Sequence, residues 1–240
     1  MSQMQDFKLL LARRTAWLPI DLGAALLGYY DAENGASVPQ TPGAVTTWTD
    51  PITNYQPTQA TAGKRPVWSA TSLNNRPAIT FDSIDDELGA SNHPYPSGTT
   101  AMEMWALVSQ DVAPADTTLR FLCAYGGANV LGTYRSVNAG VNRAGGSRSS
   151  GANDASVNYS GVHVTRLRLT ATTVFISVDG GAETSGASSL SADVTPFTIG
   201  SWSSANYWGG KINWIGITAP LSAGNATSLL AYLKARGGVP

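Results

Sequence analysis

From Leu26 onward the chain is written in short apolar runs. LLGYYDA, AVTTWTD, RPAITFD, MEMWALVSQ and TLRFLCAYG follow one another, separated by Gly, Pro, Asn and Ser. Runs of this length, bounded by turn residues, predict β-strands rather than helices. The clearest case is HVTRLRLTATTVFISVDGGAETSG. Val164, Leu167 and Leu169 lead into Val174, Ile176 and Val178, which alternate with Phe175, Ser177 and Asp179. A period of two sends the two sets to opposite faces of a sheet, and Asp179-Gly180-Gly181 offers the positive φ that a tight hairpin requires.

The two ends read differently. Residues 5–16 set Phe7, Leu10 and Leu11 among Lys8, Arg13 and Arg14, a pattern for a short amphipathic helix that Pro19 ends. Such a helix is marginal alone in water, so it is expected to pack on the main domain or on a partner subunit. At the other end Ser222 can cap a helix whose buried stripe is Leu229, Leu230 and Leu233, with Gly237 as its terminator. Residues 132–161 are rich in Gly, Ser and Asn and read as loop or solvent-facing strand. Many strands joined by tight turns leave no room for crossover helices, so the expected fold is all-β, an antiparallel β-sandwich with a helix at each end. The organisation is an N-terminal extension over residues 1–27 and one sandwich domain over residues 28–240.

Composition narrows the function classes. Only 13% of the 240 residues are charged and the net charge is −1, which gives no field for drawing in a phosphate backbone or an anionic membrane. Nucleic acid is therefore not an expected partner, and no segment has the run of apolar residues that membrane insertion needs. A single cysteine, Cys123, forbids an internal disulfide, and its apolar setting in LRFLCAY reads as a buried structural thiol. Two histidines and one cysteine cannot supply a Cys/His zinc site. Arg13 and Arg14 interrupt the short run Leu9–Ala12, so the start does not read as a signal peptide.

Three places carry candidate chemistry. Asp82, Asp85 and Asp86 lie within five positions. Aspartates in such turns accept hydrogen bonds from the turn's own amides; calcium is the alternative, with Asp85 and Asp86 as ligands, and would need further oxygens from a distant loop. No cofactor is otherwise implied. The four glutamates, Glu33, Glu87, Glu103 and Glu183, show no paired strand motif of the kind a retaining glycosidase uses, so the chain is not expected to be an enzyme. His163 reads as a strand residue satisfied locally, while His93 lies in the Pro-rich loop SNHPYPSG. The best lead for a ligand is aromatic: Trp202, Asn206, Tyr207 and Trp208 in SWSSANYWGG, and Tyr134, Arg135, Asn142 and Arg143 in TYRSVNAGVNR. Aromatic faces stack on the apolar face of a sugar ring while amides and guanidinium groups bond its hydroxyls, and turn-rich segments are where such binding is carried.

Taken in order, GYYDAENGASV with Asp31, VTTWTD with Trp48 and Asp50, QATAGKRPVW, RPAITFDSIDDEL, GVHVTRLRLTATTVFISVDG and FTIG…GGKINWIGITAPLS…AYLKARGG resemble the concanavalin A-like, laminin-G-type domains of bacterial and phage proteins, over about residues 28–238. The resemblance implies a jelly roll of two curved antiparallel sheets. It also implies binding of glycans or proteins, with some glycosidases on the same fold. Joined to the absence of an export signal, it suggests a carbohydrate-binding component of a phage or phage-like particle, made in the cytoplasm: a spike, fibre or decoration that contacts host surface polysaccharide. Residues 1–27 would bind other particle proteins, and a homo-oligomer is the default for a projecting component. A purely structural virion protein and a polysaccharide-cleaving glycosidase are the alternatives.

Overall fold

In a computed structural model the residues described are 17–91, 101–110, 120–125, 131–138, 141–148, 151–155, 161–187, 197–202 and 206–240. The amphipathic segment 5–16 and His93 lie outside them. The strands are β1 (Leu26–Asp31), β2 (Gly43–Ala44), β3 (Val67–Leu73), β4 (Arg76–Asp82), β5 (Leu88–Ala90), β6 (Met102–Gln110), β7 (Arg120–Tyr125), β8 (Leu131–Asn138), β9 (Val141–Arg148), β10 (Gly151–Ala155), β11 (Gly161–Leu169), β12 (Thr173–Val178), β13 (Thr184–Ala187), β14 (Phe197–Ile199) and β15 (Gly209–Thr218), followed by one helix, α1 (Ala223–Gly237).

These strands form two sheets with every pairing antiparallel. The first runs β13-β12-β11-β6-β15-β4-β3-β2, with β1 also on β15; the second runs β10-β9-β8-β7-β14-β5. Ile79, Phe81, Met104, Val108, Leu167, Ile176 and Ile215 from the first sheet meet Leu88, Leu122, Phe197 and Ile199 from the second in a shared core. The all-β expectation is met, with a sandwich and a C-terminal helix. The Gly/Ser/Asn-rich stretch 132–161 supplies strand rather than loop over most of its length, as β8, β9 and β10.

A second core lies on the outer face of the first sheet. There Trp105, Leu107, Val164 and Trp214 sit under Ala226, Leu229 and Leu233 of α1, with Leu22 and Leu26 beside them. Strand β6 therefore buries both faces, which is why MEMWALVSQ is apolar almost throughout instead of alternating. Leu229 and Leu233 are fully buried, each adding about 1.5–3 kcal/mol at the usual value for burying such a side chain. Residues Pro19–Ala25 form a 3-10 segment that leads into β1.

The ends of α1 are capped as its sequence suggests, with one correction. Asn225 N–H donates to Ser222 Oγ at 3.3 Å, but Gly238, not Gly237, takes the left-handed conformation that ends the helix, at φ 65°. Gly237 is still helical, and a Cβ there would lie 2.5 Å from Leu107. Arg236, 7% exposed, ties the last turn to β1 through a bidentate pair with Asp31 and a 3.1 Å bond to the Tyr232 hydroxyl.

Candidate functional site

Two crossings between the sheets lie side by side at the strand-end edge of the sandwich, where β4 ends and β15 begins. The acidic turn carries the chain from β4 in the first sheet to β5 in the second. The segment after β14 carries it back to β15, which is hydrogen-bonded to β4, while β14 is hydrogen-bonded to β5. The two candidate regions, far apart in the chain, are thereby brought together. Ser83 N–H donates to the Trp208 carbonyl at 3.0 Å and Trp208 N–H to the Gly200 carbonyl at 2.7 Å. The contact is close enough to demand glycine: a Cβ on Gly209 would lie 2.6 Å from that of Ser83, and one on Gly200, at φ +86°, would lie 2.3 Å from the Phe81 ring.

The carboxylates in this turn do what turn chemistry predicts. Asp82 Oδ1 accepts from the amides of Ile84 at 2.8 Å and Asp85 at 3.3 Å, and Asp86 Oδ2 accepts from the Asp82 amide at 2.9 Å. The three carboxylates also place one oxygen each within 4.8 Å of one another. Asp86 is 6% exposed. Its burial, reinforced by the charges on Asp82 and Asp85 against the bond from the Asp82 amide, pushes its pKa up to about 6. Glu87 beside it accepts from Ser201 Oγ at 2.6 Å. The Tyr207 hydroxyl has its pKa raised by burial and then by the charges of Glu87 and Asp85, and its chain neighbour Trp208 is the residue whose carbonyl accepts from Ser83.

The aromatic candidates divide. Trp202, Asn206 and Tyr207 are partly exposed, and Asn206 takes the left-handed region at φ 51°. Trp208 corrects the sequence expectation: it is 1% exposed and belongs to the inter-sheet core, so its ring face meets no ligand. Tyr134 and Arg135 lie on β8, and Asn142 lies on β9 opposite Val137; their side chains are outside the described ones. His163 Nδ1 lies 2.7 Å from Asp179, whose other oxygen accepts from the Val164 amide at 2.7 Å, so the histidine is satisfied locally, as its strand position suggests. Cys123 is buried.

The marks that carried the family resemblance are structural here. Asp31 holds Arg236, Asp50 accepts from the Tyr29 and Ile52 amides and the Thr53 hydroxyl, and Trp68 Nε1 donates to the Ala32 carbonyl at 2.8 Å. What the sequence concealed is a cleft on the outer face of the first sheet. Arg166, Arg168, Ser177 and Glu183 line it beside α1, and only strand register assembles them.

No protein-family model matches the chain, and no curated protein does. Solved structures do. A crystal structure of an arabinofuranosidase complexed with arabinofuranosyl-α-1,2-xylobiose is similar at TM-score 0.58 and 14% identity, over 79% of this chain and 50% of that one. Trypanosoma rangeli sialidase in complex with sialic acid is similar at TM-score 0.59 and 14% identity, over 98% of this chain and 40% of that one. Domain 4 of AbnA, a GH43 extracellular arabinanase from Geobacillus stearothermophilus, in complex with arabinotriose, is similar at TM-score 0.56 and 14% identity, over 87% of this chain and 98% of that one. At this identity the likeness is one of fold, and the chain spans half or less of the arabinofuranosidase and the sialidase.

These neighbours overturn the expectation that the chain is not an enzyme, since they are an arabinofuranosidase, a sialidase and a domain of an arabinanase. The missing Glu-x-Asp-x-Glu strand excluded only one arrangement of carboxylates. Folding can also gather them from a turn, as with Asp82, Asp85 and Asp86, or across strands, as with Glu103 and Glu183 on either side of Arg166.

Proposed function

We propose that the chain engages carbohydrate at the sandwich edge where the aromatic segment meets the acidic turn. The observation that carries this reading is the likeness, over nearly the whole of its length, to an arabinanase domain in complex with arabinotriose. At the edge, Trp202 and Tyr207 supply partly exposed rings for the apolar face of a sugar, Asn206 an amide, and Asp82 and Asp85 acceptors for its hydroxyls. A concanavalin A-like jelly roll and a place on the surface of a phage-like particle, contacting host polysaccharide, are the finer form of this proposal. They rest on the ordered sequence marks and on the apolar and basic N-terminal segment.

A glycosidase reading is favoured by one further observation. A carboxyl whose pKa is pushed up to about 6 sits within 4.8 Å of two others, so in mildly acidic solution a proton donor and a carboxylate stand together. That is the pairing from which acid–base glycoside cleavage is built.

Both readings are tested by titrating the full chain with arabinotriose and by incubating it with 4-nitrophenyl α-L-arabinofuranoside. Saturable binding that falls at least tenfold in Tyr207→Ala supports recognition at the edge, and nitrophenol release that disappears in Asp86→Asn supports hydrolysis. Binding that is unchanged in Tyr207→Ala, or no binding to any neutral or acidic oligosaccharide, removes the edge site.

A further inference from the structure

The outer face of the first sheet carries a second polar site, remote in sequence from the first. Between β11, β12 and the start of α1 lies a cleft of about 570 Å³, within the range of about 300–1,000 Å³ typical of small-ligand sites. Its floor is Trp105, Arg166, Arg168, Ser177 and Glu183, and its helix side includes Thr227 and Leu230. The hairpin turn closes one end, because Gly180 approaches Leu230 so nearly that a Cβ there would lie 2.5 Å from it.

We propose that this cleft binds a neutral polyhydroxy ligand, a saccharide unit with neighbouring hydroxyls turned to the strands and its C–H face turned to the helix.

The floor is held rigid before any ligand arrives. Glu103 is fully buried and takes four donors: Arg166 Nε at 3.0 Å, Arg166 Nη2 at 2.7 Å, Trp105 Nε1 at 2.9 Å and the Leu221 amide at 3.2 Å. With its capacity used, Glu103 serves as an anchor. Arg166 is clamped between that carboxylate and the Trp105 ring, 4.9 Å from its centroid. Arg168 is clamped in the same way, bidentate to Glu183 and 3.7 Å from the centroid of Phe175. Fixed guanidinium planes lose little entropy when a ligand binds.

What the clamps leave unused defines the ligand. Each arginine employs Nε and Nη2, so both Nη1 groups keep their donors. Arg166 Nη1 reaches Glu183 only at 3.6 Å, and Arg168 Nη1 makes no hydrogen bond among the described residues. Ser177, 5% exposed and opposite Arg166 in the β11–β12 register, lines the cleft with a hydroxyl that likewise makes none among them. That hydroxyl opens onto the cleft and can donate to or accept from whatever occupies it. Donors on two guanidinium groups, lone pairs on Glu183 and a serine that both donates and accepts suit hydroxyl groups, which also do both.

Charge selects against ionic ligands. Two guanidinium groups face two carboxylates, so the site carries no net charge to draw an ion, and a neutral hydroxyl can use the free Nη1 donors and the Glu183 lone pairs without unbalancing either ion pair. The ligand class rests on the carbohydrate reading above, while the location does not.

The test is a titration of the full chain with arabinotriose and, in parallel, with sialic acid, for the wild type and for Thr227→Trp, Ser177→Ala and Tyr207→Ala. Thr227 is exposed on α1, so a tryptophan there can lie across the cleft without entering a core. Arabinotriose binding should weaken at least tenfold in Thr227→Trp and severalfold in Ser177→Ala, and sialic acid should bind at least tenfold more weakly than arabinotriose. Unchanged binding in Thr227→Trp, or equal affinity for the acidic sugar, overturns the cleft proposal. Loss in Tyr207→Ala alone does so too, and leaves the edge reading standing. Loss in the cleft variants alone removes the edge reading instead.

Discussion

Asp86 holds its carboxyl where burial pushes the pKa up to about 6, against a usual value of 3.8. Between those values the folded chain binds a proton that the unfolded chain has released, so stability falls as pH rises through that window and stays lower above it. Asp86→Asn keeps an acceptor for the Asp82 amide and removes the charge. It should therefore raise stability at pH 7.5 by up to roughly 3 kcal/mol, given about 1.36 kcal/mol for each tenfold change in proton affinity on folding, and bring little gain at pH 3.5. Urea unfolding at the two pH values checks this, and an equal effect at both would sink it. If Asp86 also donates a proton in catalysis, the same variant becomes more stable while losing activity. Glu103 and Glu183 offer a contrast in burial. Glu103→Gln leaves Arg166 half-paired in a buried setting and should cost about 3–5 kcal/mol, whereas Glu183→Gln, at a site 29% exposed, should cost about 1 kcal/mol or less. Urea midpoints separate the two. At this scale the acidic turn was legible because aspartate–amide bonding is local. The Glu103–Arg166 pair was not, because its partners are 63 residues apart and meet only through the register that sets Trp105 opposite Arg166. Trp208 misled for a related reason, since nothing local tells a tryptophan that packs beneath a turn from one that projects from it.

At the scale of the element, α1 shows what periodicity does and does not reveal. Its apolar stripe and its Ser222 cap are local signals and were readable; Ser222→Ala should cost about 1 kcal/mol. Which glycine of the final pair ends the helix was not readable, because both fit the pattern and only packing separates them. Gly238 is chosen by conformation and Gly237 by the approach of Leu107. Asparagine tolerates the left-handed region, so Gly238→Asn should cost less than the roughly 1–2 kcal/mol that other side chains incur there, while Gly237→Asn forces a side chain into Leu107 and should cost about 1–3 kcal/mol, as overpacking does. Thermal melts of the two variants give opposite rankings if the helix ends at Gly237. The hairpin after β12 was readable throughout: Asp179 and Gly180 both take positive φ, at 53° and 77°, and Gly181 N–H closes the turn on the Val178 carbonyl at 2.9 Å. Strands β8 to β10 were not, since a Gly/Ser/Asn-rich stretch offers no apolar alternation to follow, and their backbone pairing decides the outcome.

For the molecule as a whole, α1 is the lid of a second core, and the first sheet depends on it. Without residues 221–240 the outer faces of Trp105, Leu107, Val164 and Trp214 lose their cover, leaving a contiguous apolar patch of the kind that drives association. A chain ended at Pro220 should therefore aggregate or bind a hydrophobic dye strongly, even though every strand is present. Arg236→Ala separates the covering role of the helix from its tether: it leaves α1 in place but uncouples its last turn from Asp31, and should cost about 3 kcal/mol because a largely buried ion pair, 6% and 13% exposed, loses one member, with dye binding unchanged. Gel filtration with dye fluorescence distinguishes the two outcomes, and a truncated chain that elutes and binds dye as the wild type does would show that the sandwich needs no lid. The same truncation reaches function. It removes the helix side of the outer cleft while leaving the turn at residues 82–87 and, at the adjoining crossing, Trp202 and Tyr207. A truncated chain kept soluble at low concentration should thus lose the cleft's ligand and retain the edge's, so the lid of the second core also forms one wall of a binding site.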